Sequence, residues 1–297
     1  MQVDELAPDS AVAGYLGQEI DGLDALETPS VSRRPRAQRW WGSTWPKLAA
    51  VTVAIAGWQM VVWSGWRPEY ALAGPKPVFA ELWRLITTGE LGAAVRITLG
   101  RAITGYLLAA VIGTAIGLAV ARVGVLRTAV GSLLGGLQSM PSIAWFPLAI
   151  LMFGGGEGAI FFVVVLGAAP AIANGIIAGV DQIPPLQLRV GKMLGARGMS
   201  LLRHVIVPAA LPGVLAGLKQ GWAFAWRSLM AGELLVIVAG HRSIGVLLQT
   251  SRDISDVVML EAVMIAILVI GVLVDSLAFG SAERAVLRRR GLVAPLP

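Results

Sequence analysis

The chain has 297 residues, 56% of them apolar and only 14% charged, with a formal net charge of +6 and a mean hydropathy of +0.73. An ordinary soluble domain is about one quarter charged, so composition excludes that class and indicates a membrane protein. With no cysteine and two scattered histidines, His204 and His241, neither a disulfide nor a metal centre is expected.

Residues 1–46 read as a polar tail before the first span. Seven of the eighteen acids (Asp4, Glu5, Asp9, Glu19, Asp21, Asp24, Glu27) fall in its first thirty residues, which contain no Lys or Arg. "RRPRAQRWWGSTWPK" follows, with five bases and three tryptophans. Basic side chains and amphipathic indoles suit contact with lipid headgroups, and the segment runs straight into an apolar stretch. The charge is therefore explained by membrane lipid, and no nucleic acid is expected as a partner. The first apolar run begins near residue 48, too far along for a cleaved signal peptide.

Six spans are predicted, at about 48–66, 102–121, 129–152, 159–180, 211–238 and 257–279. Runs of about 19 uncharged residues are long enough to cross the hydrocarbon as helices. Between the first two spans, Val78, Leu82, Leu85 and Ile86 recur at helical spacing, so an amphipathic helix is expected after Pro77, with a break at Thr88-Gly89. Gly113-x-x-x-Gly117 and Gly131-x-x-x-Gly135 are expected to allow close helix packing. Gly154-Gly155-Gly156-Glu157-Gly158 reads as a tight turn between the third and fourth spans. Six spans place both termini on one side. That side then carries fifteen bases against seven on the other, so both termini are expected in the cytoplasm. The transmembrane part is expected over 47–283, and 284–297 as a basic cytoplasmic tail.

Between the fourth and fifth spans, about 182–210, lies a basic loop. No acid occurs from Gln182 to Gly232, while Arg189, Lys192, Arg197 and Arg203 do. Pro184-Pro185 can open a helix. Gly195 and Gly198 punctuate it, and Ser200 can cap a second short helix running to about Ile206. Pro208 is expected to stop that helix and Pro212 to open the fifth span. The loop is thus read as a compact helix-turn-helix elbow outside the bilayer.

"LGARGMSLLRHVIVPAALPGVLAGLK" places Gly195 nine residues before Val205-Ile206-Val207-Pro208. This resembles the cytoplasmic signature of ABC importer permeases: Glu-Ala-Ala, three residues, Gly, nine residues, then apolar-x-apolar-Pro. The sequence departs at its start, where Arg189 stands at the glutamate position and Val190 and Gly191 at the alanines. An altered contact is expected there. "MPSIAWFPLAILMFGGGEGAIFFVVVLGAAPAIANGI", "GPKPVFAELWRLITTGEL" and "LVDSLAFGSAERAVLRRRG" resemble the nitrate/sulfonate/taurine-type permeases in particular, and the match covers roughly 48–291.

The resemblance implies an all-α polytopic fold of the type I ABC importer transmembrane domain. It implies a second permease copy as a homodimer, two ATPase subunits that hold ATP and Mg, and an extracytoplasmic substrate-binding protein. The setting would be a bacterial cell membrane. It assigns Arg189, Leu194, Gly195, Ala196, Arg197, Leu201, Arg203 and Pro208 to the ATPase-coupling loop. The implied cargo is a small anion, aliphatic sulfonate or taurine before nitrate, with a neutral or heterocyclic nutrient as the alternative. The chain has no Gly-x-x-x-x-Gly-Lys-Ser/Thr phosphate loop, so ATP hydrolysis is expected in a separate subunit and no catalytic residue here.

Ionisable groups inside a span cost about 2.5–3.5 kcal/mol to insert and are candidates for function. Arg227 and Glu233, six residues apart, lie about 240° apart around a helix, so each requires a different partner. Arg227 is a candidate for attracting an anion or, equally, for an interhelical ion pair or a bond to backbone carbonyls, and Glu233 for a place near the outer mouth. Lys219 reads as able to reach the cytoplasmic surface, and Glu261 and Asp275 as interfacial. Gln138, Ser139 and Met140, before Pro141, and Asn174, after Pro170, interrupt apolar helices and are further pathway candidates. The rival class, a secondary transporter or channel, would show clustered midplane charges and repeated halves.

Overall fold

The computed structural model describes residues 36–289 apart from 239. The acidic stretch, Arg33, Arg34 and Arg290 lie outside the described residues, as do the side chains of 36–44 and 287–289. The chain divides into two compact units, one reaching Ala56 and one running on from Gly57. Among the described residues all regular structure is helical.

The first unit holds the beginning of α1 (Arg36–Trp63), which starts a dozen residues before the predicted span and carries Pro46 within it. Its apolar stretch is Trp45–Trp63.

In the second unit, α2 (Pro75–Thr87) follows the expected amphipathic pattern. Pro75 opens it, Val78 and Leu85 are buried, and Ile86 is exposed. Gly89 then adopts φ +78°, the left-handed region that breaks the chain before α3 (Glu90–Arg122). The helix therefore begins about three turns before 102, and Arg101 belongs to it rather than to a loop.

The third span is broken. α4 (Gly124–Ser139) and a 3-10 turn (Ser142–Trp145) leading into α5 (Phe146–Phe153) meet at a bend of 100°. Among the described residues, five helices are long and apolar enough to cross a membrane, or six if the bent pair counts as one span. After the Gly154 turn (φ +72°) come α6 (Glu157–Asp181), α7 (Pro185–Met193), α8 (Gly198–Leu201), a π turn (Leu202–Ile206) and α9 (Val207–Leu235). α10 (Ile244–Asp253), α11 (Val257–Val274), a second π turn (Asp275–Phe279) and α12 (Gly280–Arg289) complete the chain.

The core is α3, α6 and α9 side by side, with Phe146 and Ala149 of α5 tucked against them. Lipid tails are as apolar as the side chains, so helices associate through close packing rather than hydrophobic expulsion. α6 and α9 achieve this with glycine against glycine. A Cβ on Gly217 would lie 2.6 Å from the Gly175 Cα, and Gly213 meets Gly179 in the same way. Gly113 and Gly117 of α3 face α6 equally closely: a Cβ on Gly113 would lie 2.6 Å from the Ala169 carbonyl oxygen, and one on Gly117 2.9 Å from the Ile176 Cβ. Gly131 and Gly135 meet nothing within 4 Å, so that predicted small-residue pair is not a packing seam within this chain.

α6 and α9 are antiparallel, so the connection 182–206 defines one end of the bundle. The start of α3 and the end of α9 define the other. A second apolar cluster sits at that far end, where α2, α10 and α11 pack with Leu91 and Ala94.

Candidate translocation site and loop element

The polar groups fall into three sets. The first gathers where the broken span meets α6 and α9. Bending α4 away from α5 opens a cleft of about 260 Å³, lined by Gln138, Ser139, Met140, Ser142, Trp145 and Arg227, with apolar walls and Phe224 completing it. Gln138 Oε1 accepts a bond from Asn174 Nδ2 at 2.9 Å, which ties α4 to α6 and leaves Gln138 Nε2 buried without a partner. Arg227 donates through Nε to the Ala223 carbonyl at 3.0 Å, and its guanidinium carbon lies 4.6 Å from the Phe224 ring centroid. Those contacts fix the guanidinium and leave its terminal nitrogens unbonded among the described residues. Gly167 lets the three elements converge, since a Cβ there would lie 2.5 Å from Ser228 Oγ.

Five of the six predicted pathway residues are thus brought together, Asn174 through its bond to Gln138. Glu233 is not. Its carboxylate is wholly buried at the far end, the acceptor of Arg101 Nη1 at 3.1 Å, Thr98 Oγ1 at 2.9 Å and the Gly245 N–H at 3.1 Å. Arg101, itself 5% exposed, reaches Glu157 as well at 3.1 Å, and Thr98 Oγ1 also accepts the Ile244 N–H. This second set joins α3, α6, α9 and the first turn of α10. From the sequence Glu233 is expected near the outer mouth, and it does lie at the end away from the loop, but it stands apart from the other pathway candidates: a carboxylate with an arginine and two further donors is satisfied inside the protein. Sequence reasoning missed Arg101 by starting the span just after it. Thr98, Arg101 and Gly105, three and four residues apart on one buried face, were the available signal.

The third set is the basic loop. Pro185 opens α7, Gly195 (φ +85°) and Gly198 (φ +52°) make the turn, and α8 follows. α7 folds back onto the π turn through Gly191, where a Cβ would lie 2.8 Å from Val205 Cγ2. Leu194 and Met199 are exposed, as are Arg189, Ala196's neighbour Arg197, and Arg203. Arg189 has no ion pair among the described residues. Pro208 does not stop the helix as expected, and Pro212 lies inside α9 rather than opening it. A proline ring clashes with the carbonyl four residues back. Here the helix widens, so that Val207 N–H bonds to Leu202 O five residues earlier and Pro208 sits in the first turn of α9. Lys219, further along α9, pairs with Asp275 at 3.6 Å and Glu283 at 3.9 Å. Glu261 is held inward instead, accepting the Ala73 N–H at 3.2 Å.

Residues 109–289 match the family described as the binding-protein-dependent transport system inner membrane component, and the chain belongs to that family. A putative aliphatic sulfonates transport permease of Bacillus subtilis is 28% identical over 254 residues, covering 86% of this chain and 90% of that one. The taurine transport system permease of Escherichia coli is 28% identical over 239 residues, covering 75% and 86%. An inward-facing structure of the MetNI methionine ABC transporter shares the fold, with a TM-score of 0.54 at 20% identity over 66% of this chain and 95% of that one.

Proposed function

We propose that this chain is the membrane-spanning subunit of an ATP-driven importer that passes a small anion through the cleft at the broken span. The observation that carries the reading is the convergence of Gln138, Ser139, Met140 and Arg227 on one cavity, with Arg227 the only charged side chain lining it among the described residues. Polar, irregular backbone at membrane depth is tolerated where it lines a cavity, and here the break supplies the lining. The relative named for aliphatic sulfonates agrees with an anionic cargo.

In this reading two copies pair around the route, a binding protein delivers the anion from outside, and both termini are cytoplasmic. The loop at 182–206 then faces a separate ATPase that holds ATP and Mg. Arg189, Leu194, Gly195, Ala196, Arg197, Leu201, Arg203 and Pro208 form or shape the docking surface, and exposed Leu194 and Met199 supply its apolar contact. Closure of the ATPases would move the loop, and α8, the π turn and α9 form one helix of 38 residues from the loop past Arg227. Uptake into proteoliposomes holding the permease, its co-purifying ATPase and the binding protein tests this. Uptake that needs ATP is expected. Equal uptake without ATP, or no co-purifying nucleotide-binding subunit, would overturn it.

A further inference from the structure

Resting on that reading of the cleft, we infer that the cavity selects a monoanion with an uncharged, apolar tail, and discriminates against both zwitterions and bare inorganic anions. Its donors are placed for an oxyanion. Arg227 is held by the Ala223 carbonyl and the Phe224 ring, so its terminal N–H groups stay free for the cavity. Gln138 Nε2 is buried with no partner, and its amide is oriented by the bond from Asn174 to Oε1. A buried donor left unpaired is costly, and an oxyanion bridging Gln138 and Arg227 would satisfy it.

The rest of the lining argues about the tail. Leu137, Ile143, Trp145, Leu166 and Phe224 give the cavity apolar walls, and about 260 Å³ exceeds what a bare trigonal anion fills. Apolar surface gains only from an apolar occupant. Among the described residues, no acid lines the cleft. A primary ammonium there would lie beside the Arg227 guanidinium with no carboxylate of the lining to pair it, and like charges at close range repel. Selection at this cleft would act on the permease's own side, independently of what the binding protein holds.

The test uses 1-propanesulfonate and taurine, which differ by a methyl in place of an ammonium, with nitrate as the bare anion. Binding of each is measured by calorimetry on the permease with its co-purifying ATPase in nanodiscs, without the binding protein. Propanesulfonate is expected to bind at least about tenfold tighter than taurine or nitrate. Gln138→Glu, which adds a carboxylate to the cleft, should shrink or invert the preference over taurine. The wild-type comparison stands even if that variant fails to fold. Taurine binding as tightly as propanesulfonate overturns the exclusion of zwitterions, and nitrate doing so overturns the role of the tail. If no sulfonate binds while ATP-driven uptake persists, the cleft is not the anion site although the importer reading stands. Loss of ATP-driven uptake from the complete wild-type assembly sinks the importer reading, and this inference with it.

Discussion

Glu233 and Arg101 are charges shut away from solvent, and the geometry around them determines what each is worth. Removing one partner of a buried pair leaves an uncompensated charge and costs about 3–5 kcal/mol, whereas replacing both by apolar groups is often nearly neutral. Glu233→Ala is therefore expected to lower the unfolding midpoint in detergent markedly. The double variant Arg101→Met with Glu233→Met should recover most of that loss, and equal losses from the two would show that the pair is not the source. Sequence reasoning recognised that Glu233 needed a partner other than Arg227, because six residues turn a helix by about 240°. It could not identify Arg101, which stands 132 residues earlier. The same limit applied at Gly191. Its place at an alanine of the signature was legible, but not that Val205 and Leu201 close over it and leave no room for a methyl.

At the scale of elements, the seam between α6 and α9 is made of backbone. Gly175 and Gly179 lie one turn apart on one helix, and Gly213 and Gly217 one turn apart on the other. Gly175→Ala drives a methyl into the Gly217 backbone, which no rotamer change relieves, and overpacking of this kind typically costs about 1–3 kcal/mol. Gly131→Ala adds its methyl to open space and should leave the protomer's stability unchanged or slightly higher, through better helix propensity. Chemical unfolding of the two variants side by side measures the difference. Spacing marks a small-residue face but not whether another helix covers it, which is why Gly113-x-x-x-Gly117 and Gly131-x-x-x-Gly135 looked alike and behave differently. The broken third span was half legible. Gln138, Ser139 and Pro141 announced an interruption, while the 100° bend depends on how α5 settles against α6 and α9.

For the molecule as a whole, the loop, the cleft and the buried ion pair are strung along a single helix. Gly198–Leu235 is 38 residues, roughly 55 Å at helical rise, with Arg227 and Glu233 in its last third. If the loop receives the ATPase stroke, this rod can carry it, and the sensitive point is the turn before the rod begins. Gly195 holds φ +85°, so Gly195→Asp combines backbone strain with a negative charge amid Arg189, Lys192 and Arg197. ATP hydrolysis by the assembled complex should persist while uptake falls severely. Unchanged uptake would count against the loop as the coupling surface.

The far-end ion pair also bears on how the chain is made. Arg101 emerges from the ribosome before Glu157 and long before Glu233, so neither carboxylate exists when α3 enters the bilayer. Until then the guanidinium must rest among headgroups and water, which its position near the end of α3, about three turns from Glu90, allows. Glu157 can meet it first, as α6 inserts. Only the arrival of α9 and the first turn of α10 supplies Glu233 and draws the arginine inward. The pair is thus a late step in biogenesis, a signature that the fifth span has found its place beside the second and fourth.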